Sequence, residues 1–153
     1  MRRFPFGARC AGLALVVALG ATAAAQSLQR INPPGLSTPS TYSHIVRAGK
    51  TLYIAGQVGA DAEGTVAGPG MAEQLEQALK NLQTALTSQG ADFSHVAKIT
   101  VYTTDVEAFR APEAAAVRAK YFGQHRPAST LVGVMRLASL DYKVEIEATA
   151  VLP

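Results

Sequence analysis

The chain has 153 residues, 48% of them hydrophobic and 16% charged, with a single cysteine, Cys10. That is enough chain for one domain with its own core, and not for two. Its formal net charge of +3 is concentrated at the start: of 14 basic residues, Arg2, Arg3 and Arg9 fall in the first nine positions, leaving 11 to face the 11 acidic residues.

Residues 1–25 carry the three parts of an export signal. The arginines make a positive start, Ala11 to Leu19 an apolar run, and Ala21-Thr22-Ala23-Ala24-Ala25 an Ala-x-Ala cleavage site before Gln26. The apolar run is shorter than the ~20 residues that cross a bilayer, and no comparable run follows. Arg2-Arg3 before Phe4 also opens a twin-arginine route, although the rest of that motif is missing. Cys10 precedes the apolar run, which argues against a lipid-modified cysteine. The sequence thus predicts a periplasmic or secreted domain, off the membrane after cleavage and without disulfides. Its balanced charge offers no general attraction to nucleic acid or anionic lipid.

Residues 26–41 (QSLQRINPPGLSTPST) read as an extended arm, with the domain proper spanning 42–153. Ser43 to Arg47 and Thr51 to Ala55 are expected strands joined by the turn Ala48-Gly49-Lys50. Residues 59–70 form a Gly-rich loop without the GxGxxG or GxxxxGK spacing that cradles phosphate. From Met71 to Ser88 the period becomes helical, with Leu75, Leu79, Leu82 and Leu86 on one stripe, Ala78 and Ala85 beside it, Glu73 and Glu76 near the start, and Gly90 as a left-handed end.

Residues 97–104 (AKITVYTT) alternate as a strand. Pro112 opens a second helix to Phe122, with Val117 and Tyr121 on its apolar stripe. Residues 129–134 and 143–151 are the last strands. The order β-β-α-β-α-β-β predicts an α+β domain, one sheet with two helices on one face. The other face then needs a cover, for which oligomerisation is the expected source.

The run Arg126-Pro127-Ala128-Ser129-Thr130-Leu131-Val132-Gly133-Val134, then Leu137, then Val144-Glu145-Ile146-Glu147-Ala148, resembles the C-terminal signature of the Rid family (YjgF/UK114, reactive-intermediate deaminases). Tyr42, Ile54-Ala55-Gly56-Gln57-Val58, and Lys98 to Tyr102 followed by Asp105 and Phe109 also fit, so the resemblance covers residues 31–152. It implies a chorismate-mutase-like fold and a homotrimer with a small-molecule cleft at each subunit interface. The implied activity is hydrolysis of enamine or imine intermediates, released by pyridoxal-phosphate enzymes, to a 2-keto acid and ammonia. No cofactor is implied for the protein itself.

The resemblance also assigns residues. Tyr42, Gly56 and Ser129 match substrate-binding positions, and Glu145 matches a glutamate that positions the attacking water. The family arginine after Pro-Ala, a bidentate carboxylate anchor, is here Ser129, which carries no charge. The family's cleft asparagine aligns with Ala115, and its serine before Gly-Gln with Ala55. Arg136 and Arg126 are candidates to replace the lost charge, the alternative being solvated loop arginines. Glu145 and Glu147 share one strand face, as catalytic carboxylates or as ordinary salt-bridged residues.

His44, His95 and His125 lack metal-ligand spacing, so no metal is expected. No GxSxG elbow surrounds Ser129, which argues against a serine nucleophile. Three functions stay open: a hydrolase acting on an imine, enamine or related amide; a non-catalytic binding trimer whose apolar cleft is lined by Tyr42, Ala55, Ala115 and Leu131; and an RNA-cleaving protein, which the neutral charge disfavours.

Overall fold

The computed structural model describes residues 27–153. The expected export signal and its cleavage site lie outside the described residues. The chain forms β1 (Leu28–Ile31), β2 (Ile45–Ala48), β3 (Thr51–Val58), α1 (Met71–Thr87), β4 (Val96–Thr103), α2 (Val106–Arg110), α3 (Pro112–Phe122), β5 (Ala128–Gly133) and β6 (Val144–Val151). The strands make one sheet in the order β1-β2-β3-β6-β4-β5. Neighbours pair antiparallel except β4 and β5, which are parallel. A parallel pair needs a crossover, and α2 with α3 provides it.

α1 is where the helical stripe predicted it. Leu75, Ala78, Leu79, Leu82, Ala85 and Leu86 are fully buried against the sheet. The Glu73 carboxylate accepts the Gly70 N–H at 2.8 Å, satisfying a backbone donor that the helix start leaves free. At the other end Gly90 takes φ +69°, a conformation that favours glycine. From β6, Val144, Ile146, Ala148 and Ala150 face α1 and are buried, while Glu145, Glu147 and Thr149 point to the opposite face.

Among the described residues, no helix covers that opposite face. Tyr53 is 53% exposed on it and Val151 47%. Lys98, Thr100, Glu147 and Thr149 line a shallow hollow there of about 310 Å³ with Val46 and Tyr53.

Two elements lie outside the sequence reading. The arm contributes β1, which pairs with β2 from Leu28 opposite Ala48 to Ile31 opposite Ile45. Three of its four residues are exposed, so backbone pairing holds it and no apolar period could announce it. α2 is five residues long, too short for a helical period, and is set by Asp105, whose carboxylate accepts the Ala108 N–H at 2.9 Å. The sheet therefore has six strands, one more than the predicted order contains.

Candidate functional site

The site is built around an irregularity in β3. Ile54 pairs with Ala148 and Gln57 with Ile146, so Ala55 and Gly56 together oppose the single residue Glu147. This is a β-bulge, a device that re-aims side chains beside functional sites. A Cβ on Gly56 would lie 1.8 Å from Glu145 Oε1 and 2.6 Å from its Cδ. The Glu145 carboxylate thus rests directly on the Gly56 backbone, and glycine is the residue that permits it.

Behind the bulge, a buried network fixes the cleft wall. Gln57 Nε2 donates to the Ala55 carbonyl at 2.8 Å and meets His44 Nδ1 at 3.2 Å. His44 Nε2 lies 3.0 Å from the Ser37 carbonyl. A carbonyl only accepts, so the ring proton sits on Nε2, and Nδ1 receives the Gln57 hydrogen. Burial holds the His44 pKa below its ordinary value, partly offset by the Ser37 carbonyl, and the imidazole is neutral at pH 7. The half-exposed Tyr42 ring packs edge-on against it, with centroids 5.6 Å apart.

Two amides set the remaining walls. Asn81 on α1 donates to the carbonyls of Val58 at 3.1 Å and Ala60 at 2.8 Å, tying the end of β3 to the helix. Gln74, also buried on α1, donates to the Gly68 and Asp141 carbonyls and accepts the Lys143 N–H at 2.8 Å. The loop before α1 and the loop before β6 are thereby fastened to one side chain. Between them opens a cleft of about 480 Å³ lined by Tyr42, His44, Gly56, Asp61, Tyr142, Glu145 and apolar neighbours.

Glu145 has an unusual environment. Burial raises its pKa, and the charge of Glu147 raises it further. Among the side-chain hydrogen bonds and ion pairs of the described residues, none involves the Glu145 or Glu147 carboxylate; the ion pairs are Lys80–Glu76, His95–Asp92 and Lys120–Glu76. The salt-bridged alternative for the two glutamates is therefore absent within a protomer. A proton-hungry carboxylate over an open backbone can hold a water and take its proton.

Tyr42, Gly56 and Glu145 thus meet in one cleft, joined by Ala55. Ser129 and Arg136 do not line it within one protomer: Ser129 is exposed on β5, two strands from β6, and Arg136 is exposed in the loop before β6. Ala115 on α3 and Leu131 on β5 are likewise outside it. Arg126 donates to the Gly123 and His125 carbonyls at 2.8 Å, closing the turn after α3 as a loop arginine does. Sequence reasoning missed His44, Gln57, Asn81, Asp61 and Tyr142, because the bulge and the helix amides that gather them leave no spacing pattern. Among the described residues, no three of His, Cys, Asp and Glu converge as metal ligands.

Comparison with known proteins places the whole of this site within a matched region. The family described as Endoribonuclease L-PSP matches residues 35–152. The chain is 36% identical to human 2-iminobutanoate/2-iminopropanoate deaminase over 119 residues, covering 77% of this chain and 83% of that protein. It is 37% identical to a RutC family protein of Pyrococcus horikoshii over 110 residues, covering 71% of this chain and 85% of the relative. Among solved structures, RidA from an Antarctic Psychrobacter superposes with a TM-score of 0.73 at 30% identity, over 81% of this chain and 99% of that one. A member of the YjgF/YER057c/UK114 family from Mycobacterium tuberculosis gives 0.65 at 32% identity, over 77% and 98%.

Proposed function

The chain belongs to the Rid (YjgF/UK114) family, and on that premise we propose that it is an exported homotrimer whose cleft hydrolyses an imine or enamine without a carboxylate anchor. The carrying observation is the Glu145 carboxylate seated on Gly56 at the floor of an open cleft. An enamine first tautomerises to its imine. Glu145 then takes a proton from a water as its oxygen bonds to the imine carbon, and the C=N π pair moves to nitrogen, which picks up a proton. As the C–N bond of the resulting carbinolamine breaks, Glu145 returns its proton to nitrogen and the hydroxyl proton passes to solvent, replacing the one nitrogen first took up, so that ammonia departs and the carbonyl remains. The balance is imine plus water to carbonyl plus ammonia, and no oxidant, metal or cofactor enters.

What separates this reading from the activity that the family resemblance implies is the anchor. Ser129 has no charge, and among the described residues no lysine or arginine lines the cleft within a protomer. The trimer is supported by the helix-free sheet face, with Tyr53 and Val151 half exposed on it. Export rests on the arginine-led apolar start and the alanine-rich cleavage site.

The test is ammonia release from an imine generated in situ, measured as acceleration over spontaneous hydrolysis. Wild type should accelerate an alkyl imine, Glu145→Gln should abolish the effect, and Ser129→Arg should extend activity to 2-imino acids. An inert wild type with active Ser129→Arg favours the second reading, a binding trimer without turnover. Strong wild-type activity on 2-imino acids would overturn the anchor argument. Nuclease activity is disfavoured by 11 basic against 11 acidic residues after position 25 and by two acids in the cleft.

A further inference from the structure

The charges around the cleft have one sign. Within one protomer its ionisable lining is Asp61 and Glu145 with neutral His44 and two tyrosines, and no lysine or arginine among the described residues contributes. Glu145 is half-buried with Glu147 on the same strand face, and neither has an ion-pair partner among the described residues. The exposed Asp61 carboxylate is held by its loop at the cleft rim: Oδ1 accepts the N–H groups of Glu63 at 3.1 Å and Thr65 at 2.8 Å, and among the described residues Oδ2 has no protein hydrogen bond. The Tyr42 ring stands at the mouth, half exposed and braced edge-on by His44. Carboxylates beside an aromatic face in a partly desolvated cleft recognise an ammonium or iminium and repel a carboxylate.

We infer that the cleft selects a cationic substrate, an alkyl or cyclic iminium, with Glu145 and Asp61 as the groups that set this preference. The inference rests on the imine-hydrolase reading and specifies its substrate class. The reaction balances as iminium plus water to carbonyl plus ammonium, with the charge carried through unchanged. Two-electron oxidation of a primary or cyclic amine is the reaction class that would supply such a substrate. The same side chain then serves twice, since Glu145 holds the cation in the ground state and receives the water proton as the C–O bond forms.

Binding of three unreactive probes to the full mature protein tests this without turnover. Pyrrolidinium, neutral butanamide and butanoate are titrated by calorimetry at pH 7.5 in low salt. Pyrrolidinium should bind at least about tenfold tighter than butanamide, and butanoate weakest. Glu145→Gln should weaken pyrrolidinium about tenfold and leave butanamide unchanged, with Asp61→Asn having a smaller effect in the same direction. The gap should narrow with added salt. Pyrrolidinium binding no better than butanamide, absent altogether, or indifferent to Glu145→Gln overturns the inference. So does butanoate binding that Arg136→Ala removes, because the loop arginine would then supply an anchor from a neighbouring copy. Cation preference without imine hydrolysis sinks the hydrolase reading and leaves the cleft's selectivity intact, whereas hydrolysis with equal kcat/KM for anionic and cationic imines does the reverse.

Discussion

Gly56→Ala separates the working position of Glu145 from the stability of the fold. The added Cβ would stand 1.8 Å from Glu145 Oε1, and ordinary van der Waals contact begins at 3.4 Å, so the oxygen must retreat by 1.6 Å. The obstacle is the Glu145 side chain from Cγ outward, not backbone, and Glu145 can clear the added methyl by rotating about its Cα–Cβ bond toward water. The fold should therefore survive, with a stability change within about 1 kcal/mol, because the alanine also restricts the unfolded chain. That corresponds to a Tm shift of no more than about 5 °C. Catalysis is less forgiving. A misplacement of about 1 Å costs on the order of 100-fold and a lost general base 100- to 10,000-fold, so kcat/KM should fall on the order of 100- to 1000-fold. Steady-state kinetics on an alkyl imine, thermal melting, and a carbon NMR titration of Glu145 would read the three quantities. In the variant, the Glu145 titration should move back down toward the ordinary carboxylate range as the group gains water. A folded Gly56→Ala protein with undiminished kcat/KM would refute the assignment of the reacting position to the carboxylate over Gly56.

Other substitutions test its neighbours. Glu147→Gln removes the like charge facing Glu145, so the acid limb of the pH–rate profile should move to lower pH, only partly because burial is the larger cause. Glu145→Gln should change the pH dependence of stability: a raised folded pKa means the native state holds more protons above the ordinary carboxylate range, so wild-type stability falls as pH rises through that window. The Tm advantage of Glu145→Gln should accordingly be larger at pH 7.5 than at pH 4. His44 has the opposite sign, since its folded pKa lies below 6.5 and the stability it contributes is lost as pH falls below that value. His44→Gln should flatten the acid side of the stability curve, measured by denaturant titration. Leu79→Ala, at a fully buried position on α1, should destabilise by about 2–5 kcal/mol without altering the probe preference of the residual folded protein. Tyr53→Lys on the helix-free face should convert a trimer to a monomer by light scattering; an unchanged mass would mean that this face is not the interface.

The sequence was legible where burial is periodic. The Leu75–Leu86 stripe, the alternation in 143–151 and Pro112 at a helix start each leave a local pattern, and those elements appear within a residue or two of their expected bounds. β1 and α2 were illegible because neither is specified by an apolar period: one is held by pairing to β2, the other by the single cap Asp105. The site divides the same way. Glu145 and Gly56 could be named because a family pattern marks them. The same pattern contains Gln57, but its pairing with His44 could not be read, because 13 positions separate them in the chain and only the fold brings Gln57 Nε2 to His44 Nδ1.

The bulge also explains why loss of the anchor need not disable the cleft. Its geometry depends on Gln57 binding the Ala55 carbonyl, on His44 receiving Gln57, and on Gly56 yielding space to Glu145. None of these contacts passes through residue 129 or 115, which lie on β5 and α3. In the proposed trimer, a guanidinium at position 129 of a neighbouring copy would favour anions in the cleft without building its floor. With serine there, Glu145 and Asp61 are the lining charges within a protomer, so on the proposed reading the preference should change sign while Glu145 keeps its place over Gly56. Ser129→Arg should consequently alter which imine is bound far more than it alters the pH at which Glu145 titrates.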